Sequence, residues 1–280
     1  MKKHYIFLFC LIIGFFVSCA PLDFYQVYKT ANSNLLANDG KSLNYEDQNC
    51  IVSYNLWGDN GNIGFNFYNK TNDNIYLHLE NCFYIVNGSA NDYFKSRTYT
   101  KSASTGASTT NTGSIAKTIT GLNYLNLLQS NRIAATQSSG FMMAEGYSVS
   151  FNEEKIVCIP SKTSKVISEY SVNETVFRFC QLFLYPDKKQ INSKTFTKED
   201  TPLTFSNRIV YTVGTNDIPI RFENEFYVTE IANYPEDQIT EYIHEEYCGQ
   251  KSLSSIRVFK DISPDKFYVK YSKGIDEWKH

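Results

Sequence analysis

Apolar and polar positions alternate with a period of two through several stretches of the chain. Ile63, Phe65 and Phe67 alternate with Gly64, Asn66 and Tyr68, and Ile75, Leu77 and Leu79 alternate with Tyr76, His78 and Glu80. That period sends one set of side chains to a core and the other toward solvent, the mark of a half-buried β-strand. The polar stretch from Asn69 to Asn74 reads as the loop of a hairpin joining the two. An apolar run at 50–57 precedes them and ends in the turn cluster Gly58-Asp59-Asn60-Gly61. The second alternating run continues from Cys82 to Val86 and stops at Asn87-Gly88, a strong hairpin-turn dipeptide. Further strand-like runs occupy 155–159, 165–170, 175–185, 208–213, 222–231, 255–259 and 266–271. Turn residues such as Gly214-Thr215-Asn216-Asp217 and Ser263-Pro264-Asp265 separate them. One helix is predicted at 235–247, where Ile239, Tyr242 and Ile243 have helical spacing. Many short strands with little helical pattern predict an all-β fold, an immunoglobulin-like β-sandwich with one or two short helices and a long Ser/Thr-rich loop.

The two ends of this pattern differ from its middle. Met1-Lys2-Lys3-His4 is a positive start, and 6–17 is an unbroken apolar run, IFLFCLIIGFFV. Such a run is short for a membrane-spanning helix, which needs about 20 residues, and reads as a secretory signal peptide over 1–18. Phe16-Val17-Ser18-Cys19 resembles the lipobox of bacterial lipoproteins, although Phe16 stands where Leu is commoner. The resemblance implies that Cys19 is the lipid attachment site: its thiol carries a diacylglycerol, the chain is cut before it, and its new amino group is acylated with a fatty acid such as palmitate. Ala20 resembles the residue found there in outer-membrane members, which implies the cell outer membrane as the destination. The leaflet and the facing side stay open, because no Lys-acid-acid cluster follows Cys19.

Residues 19–44 are then expected to form a lipidated tether, 45–250 the sandwich domain, and 251–280 a C-terminal β tail. Inside the sandwich, 95–145 is expected to be a flexible loop insertion. Its segment 101–121, KSASTGASTTNTGSIAKTITG, is too poor in large apolar residues to supply a core. Phe141-Met142-Met143 adds an apolar patch beside it.

The segments Phe65–Leu79 (FNFYNKTNDNIYLHL), Tyr84–Gly88, Asn91–Phe94, Cys158–Lys165 and Glu225–Val228 resemble Bacteroidetes-type envelope lipoproteins with an immunoglobulin-like body. This resemblance implies a fold and an anchor but no known activity.

Composition narrows the chemistry. The 280 residues carry 27 Lys and Arg against 29 Asp and Glu, so the basic footprint of a nucleic-acid binder is missing. Of seven cysteines, five remain after the signal and the anchor: Cys50, Cys82, Cys158, Cys180 and Cys248. No CxxC spacing points to zinc or redox chemistry. Buried free thiols are the favoured reading; Cys50 with Cys82 and Cys158 with Cys180 are the disulfides to test.

No HExxH and no GxSxG occurs. Glu153-Glu154 and Glu245-Glu246 are adjacent, so their side chains diverge in a strand. His244 reads as part of a solvated surface and His78 as an outward edge residue. Asn69, Asn87 and Asn173 open N-x-S/T triplets that an Asn-rich chain produces by chance. No cofactor is called for. The expected function is therefore a lipid-anchored envelope component, not an enzyme, that binds or assembles. Its partners would be the membrane through its anchor and another envelope protein or a glycan. The alternative is a carbohydrate-active hydrolase or glycan-binding module built around 95–145.

Overall fold

The computed structural model describes residues 22–38, 40–105 and 145–274. Two antiparallel sheets pack face to face, so the expected all-β sandwich is the observed architecture. The first sheet contains β1 (Asp23–Asn32), β6 (Ile75–His78), β7 (Phe83–Val86), β8 (Ser89–Asp92), β11 (Ile156–Ile159), β13 (Ser193–Thr195), β14 (Thr204–Val213), β15 (Asn216–Pro235) and β18 (Lys266–Ser272). Its main order is β11-β6-β14-β15-β1-β18. The second contains β2 (Leu36–Asn38), β3 (Ser42–Glu46), β4 (Cys50–Tyr54), β5 (Phe65–Asn69) and β12 (Ser164–Ile167), in the order β12-β5-β4-β3-β2. Two further hairpins stand apart from both sheets: β9 (Thr98–Thr105) with β10 (Glu145–Asn152), and β16 (Thr240–Tyr247) with β17 (Gln250–Phe259).

The core lies between the sheets. In β4 and β5 every second residue is buried, matching the alternation of the sequence. Aromatic rings meet across the gap: Tyr54 with Phe226 at 5.3 Å, Phe67 with Tyr211 at 5.5 Å, and Tyr45 with Phe222 at 4.1 Å. Each such pair adds about 0.5–1.5 kcal/mol beyond its area burial.

The chain passes between the sheets at a double corner. β5 leads to β6 and β11 leads to β12, while β6 pairs with β11 and β5 with β12. The stretch Asn69–Asn74 is therefore a crossover, not the expected hairpin loop. Asn69 is fully buried there. Its backbone N–H donates to Thr163 O at 2.9 Å, and its Nδ2 donates to Asp73 O at 2.7 Å, Ile159 O at 3.0 Å and Pro160 O at 3.2 Å. Its Oδ1 accepts from the N–H and the hydroxyl of Thr71, both at 2.8 Å.

Four other expectations change. Residues 19–44 are not a tether throughout, because Asp23–Asn32 is an internal strand lying between β15 and β18. Phe24, Gln26, Tyr28 and Thr30 alternate inward and are buried; two of the four are polar, which hides the period. Residues 251–280 are not an appended tail, because β18 is hydrogen-bonded to β1 within the first sheet. The predicted helix at 235–247 shrinks to α1 (Glu236–Ile239), after which Thr240–Tyr247 runs as β16. β-branched and aromatic residues there favour a strand once β17 offers a partner. Finally, 175–185 is irregular. Its backbone is held by buried side chains instead of a strand: Gln26 Nε2 donates to Phe177 O and Gln26 Oε1 accepts from Phe177 N, while Asn233 Nδ2 donates to Phe183 O.

Asn69→Ala is expected to leave several buried carbonyls unpaired and to lower stability by about 3 kcal/mol, read as a lower urea midpoint with unchanged slope.

Candidate functional site: a projecting hairpin and the groove at its root

Cys19 lies outside the described residues, as does Phe141-Met142-Met143. The other predicted site residues are dispersed. Cys50, Cys82, Cys158, Cys180 and Cys248 are all free thiols, so neither tested pairing forms a disulfide. Cys50 and Cys82 are buried as expected, whereas Cys180 and Cys248 are exposed. Burial pushes the Cys82 thiol up to about 12, and its Sγ accepts from Val210 N at 3.3 Å. Burial raises Cys50 as well, with Asp47 adding to the effect. Thiols held in that state are poor nucleophiles.

His78 bonds Thr212 Oγ1 at 3.1 Å, and His244 bonds Ser252 O at 2.9 Å on a different element. Among the described residues, no three His, Cys, Asp or Glu side chains converge as a metal site would require.

Glu153, rejected above as half of an acid pair, has a structural position. It is 8% exposed and caps the root of the β9–β10 hairpin. Its Oε2 accepts from Lys95 N at 2.8 Å and Arg97 N at 3.1 Å, and its Oε1 accepts from the Arg97 guanidinium. Arg97 also pairs with Glu169 at 2.6 Å, and Lys95 reaches the same Glu169 oxygen at 2.9 Å. Burial alone would raise the Glu153 carboxyl; the Arg97 and backbone donors outweigh it and hold it below the usual range. The two ends of the expected 95–145 loop are thus strands clamped to the body.

The sequence-based reading missed the more distinctive surface. β16 and β17 pair with each other and not with either main sheet. Their turn is built by Cys248 and Gly249, both at positive φ. Only the root packs. Thr240 is buried and donates to Glu236 O at 2.7 Å, and the Phe259 ring lies 4.6 Å from Tyr268, 5.1 Å from Trp57 and 5.5 Å from Tyr25. Beyond the root, Tyr242, Ile243, Ile256, Leu253 and Tyr247 are exposed, Tyr247 at 84%. A two-stranded hairpin is marginal in water; Ile243 and Ile256 are register partners on one face of this one, and exposed apolar side chains so placed mark a contact surface.

A groove of about 220 Å³ runs along the outer face of the first sheet at the root of this arm. The strand register forms it. Lys29 lies beside Glu230 and Val27 beside Ala232, with Tyr234 one step further along β15. Ile239 of α1 closes one wall. Lys266 neutralises Asp261 at 2.5 Å, and Lys260 caps α1 by donating to Asp237 O and Gln238 O. Glu230 has no ion-pair partner among the described residues. The signal for the arm was present in the Gly249 turn, but helical spacing at Ile239, Tyr242 and Ile243 masked it.

Glu153→Gln is expected to cost about 3 kcal/mol, because it breaks a buried charged cluster. The Glu153 carboxyl is lowered in the folded state. Its contribution is therefore present above the unfolded value of about 4.3 and is lost as pH falls through the folded one. The stability gap between wild type and variant should close as pH drops below about 4 in urea titrations.

No family model, no curated protein and no solved structure matches this chain.

Proposed function

We propose that the protein is a lipid-anchored component of the cell envelope whose molecular role is binding or assembly. Cys19 carries the anchor and the β16–β17 arm makes contact with a partner. The observation that carries the second half is the arm itself: an isolated two-stranded hairpin with Tyr242, Ile243, Ile256, Leu253 and Tyr247 outside the core. Fully removing one such side chain from water is worth about 1.5–3 kcal/mol, so an arm left bare forfeits energy that a partner surface would recover. The anchor half rests on the sequence: a basic start, the apolar run at 6–17 and Ser18-Cys19 in order. No helix among the described residues is long and apolar enough to cross a membrane. Several acyl chains, at about 0.8 kcal/mol per buried methylene, would hold the protein stably. The outer membrane is the proposed location, on the strength of Ala20.

Cys19→Ala is expected to move the protein from the membrane to the soluble fraction; retention on the membrane would refute the anchor. For the arm, Tyr247→Lys with Leu253→Lys should leave the unfolding free energy from urea titration within about 0.5 kcal/mol of wild type. The same pair of changes should abolish crosslinks from a photoreactive residue placed at Ile256 in intact cells. Crosslinks that persist unchanged would exclude the arm as the contact surface.

A further inference from the structure

β1 begins at Asp23, only four residues beyond Cys19. Three residues, Ala20, Pro21 and Leu22, separate the proposed lipid site from the sheet. Fully extended, that link reaches about 14 Å from Cys19 to Asp23 at 3.3–3.6 Å per residue. The polar headgroup layer of a bilayer is about 5–8 Å deep on each side. A body held on so short a link cannot tumble free of the surface; one end of it stays within about 9 Å of the headgroups.

The residues at that end suit such a position. Leu22 is 68% exposed. Its carbonyl accepts from Lys273 N at 3.2 Å, and Lys273 Nζ lies 5.6 Å from the Tyr185 ring. Tyr185 and Tyr271 both pack on Phe24, at 5.2 Å and 5.9 Å. Beside them opens a cavity of about 330 Å³ lined by Val176, Arg178, Leu184, Tyr185 and Tyr271. Arg178 is exposed and has no acidic partner among the described residues. Asp23, at the start of β1, is already paired with Lys270 at 2.6 Å. An exposed Leu22, a half-buried Tyr271 and two cations without an acidic partner among the described residues, Arg178 and Lys273, are side chains that partition to a bilayer interface carrying anionic lipid.

We propose that this face, formed by Leu22, Val176, Arg178, Tyr271 and Lys273, docks on the anionic headgroup layer of the membrane that holds Cys19. It rests on the anchor reading above, and it adds an orientation: the β14–β15 turn points away from the bilayer. Ile218, at the start of β15 beside that turn, is 70% exposed. It lies seventeen residues along β15 from Pro235, the register partner of Phe24. That is about 56 Å of strand at 3.3 Å per residue.

The test uses the full lipidated protein in vesicles of brominated phosphatidylglycerol and phosphatidylethanolamine, with acylation of Cys19 checked by mass spectrometry. Single Trp substitutions are read as quenching beyond that of the wild type, which has two Trp of its own. Leu22→Trp reports the link, Thr175→Trp the docking face and Ile218→Trp the far end. Quenching at Leu22→Trp and Thr175→Trp but not at Ile218→Trp is expected. Arg178→Glu with Lys273→Glu should cut the Thr175→Trp signal about twofold through lost attraction to anionic lipid. With Cys19 acylated and Leu22→Trp quenched, an unquenched Thr175→Trp would overturn the docking face and leave the anchor standing. Equal quenching at Thr175→Trp and Ile218→Trp would overturn the orientation. A Cys19 without acyl chains would overturn both readings together.

Discussion

One buried asparagine holds the two sheets in register with each other. Where β5 turns into β6 and β11 into β12, the strands stop pairing and the chain must change layers, which strips carbonyls of their ladder partners. Asn69 takes up the consequence from a fully buried position. Its amide spans the corner, bonding carbonyls on both crossing segments, while its Oδ1 fixes Thr71. Unpaired buried carbonyls cost about 1–3 kcal/mol each, so an apolar residue could not turn this corner. Everything facing inward from the two sheets, including the Tyr54–Phe226 and Phe67–Tyr211 contacts, depends on that angle.

The same device recurs across the first sheet. Asn207 and Asn224 are register partners on β14 and β15, and both are fully buried. Asn224 Nδ2 donates to Tyr54 Oη at 2.9 Å, and Asn207 Nδ2 donates to Ile63 O at 2.9 Å while its Oδ1 accepts from Tyr93 at 2.7 Å. Gln26 and Asn233 do likewise for 175–185, with Tyr28 donating to Gln26 Oε1. A core built this way trades some apolar area for polar side chains that must each find a unique set of partners. Its benefit is a specified arrangement: a one-residue slip of β14 on β15 would strand both asparagines.

That economy also explains what the sequence could reveal. Strands with apolar inner faces, such as β4 and β5, were legible because nothing interrupts their period. β1 was not, because Gln26 and Thr30 occupy inner positions and make DFYQVYKTAN look like polar linker. Two of the three N-x-S/T triplets are local turn chemistry. Asn69 bonds Thr71, and Asn173 bonds Thr175, each two residues on; Asn87 instead sits at positive φ in the β7–β8 turn. The run at 175–185 carried strand composition, but its hydrogen bonds go to side chains remote in sequence, and no local pattern can show that. The arm failed for a different reason. Ile239 belongs to a real turn of helix, and the helical spacing it shares with Tyr242 and Ile243 is coincidence at the point where the chain leaves the core.

Edges and arms complete the physical picture. A free strand edge invites pairing, and this fold keeps two hairpins outside its sheets. They are tied at their roots by different means. The β9–β10 root is held by charge, with Glu153 and Glu169 gripping Arg97. The β16–β17 root is held by edge-on and tilted rings around Phe259, with the Arg257–Glu236 ion pair beside them. A charged clamp weakens in acid, because its carboxylates must be protonated, whereas a ring cluster does not respond to pH in that range. Both roots therefore carry an ion pair that acid can weaken, but the second keeps its ring cluster when the carboxylate is protonated. Glu153 holds the root of the β9–β10 hairpin whether or not anything binds, and the exposed Ile243, Ile256, Leu253 and Tyr247 are the side chains that a partner of the β16–β17 arm would cover.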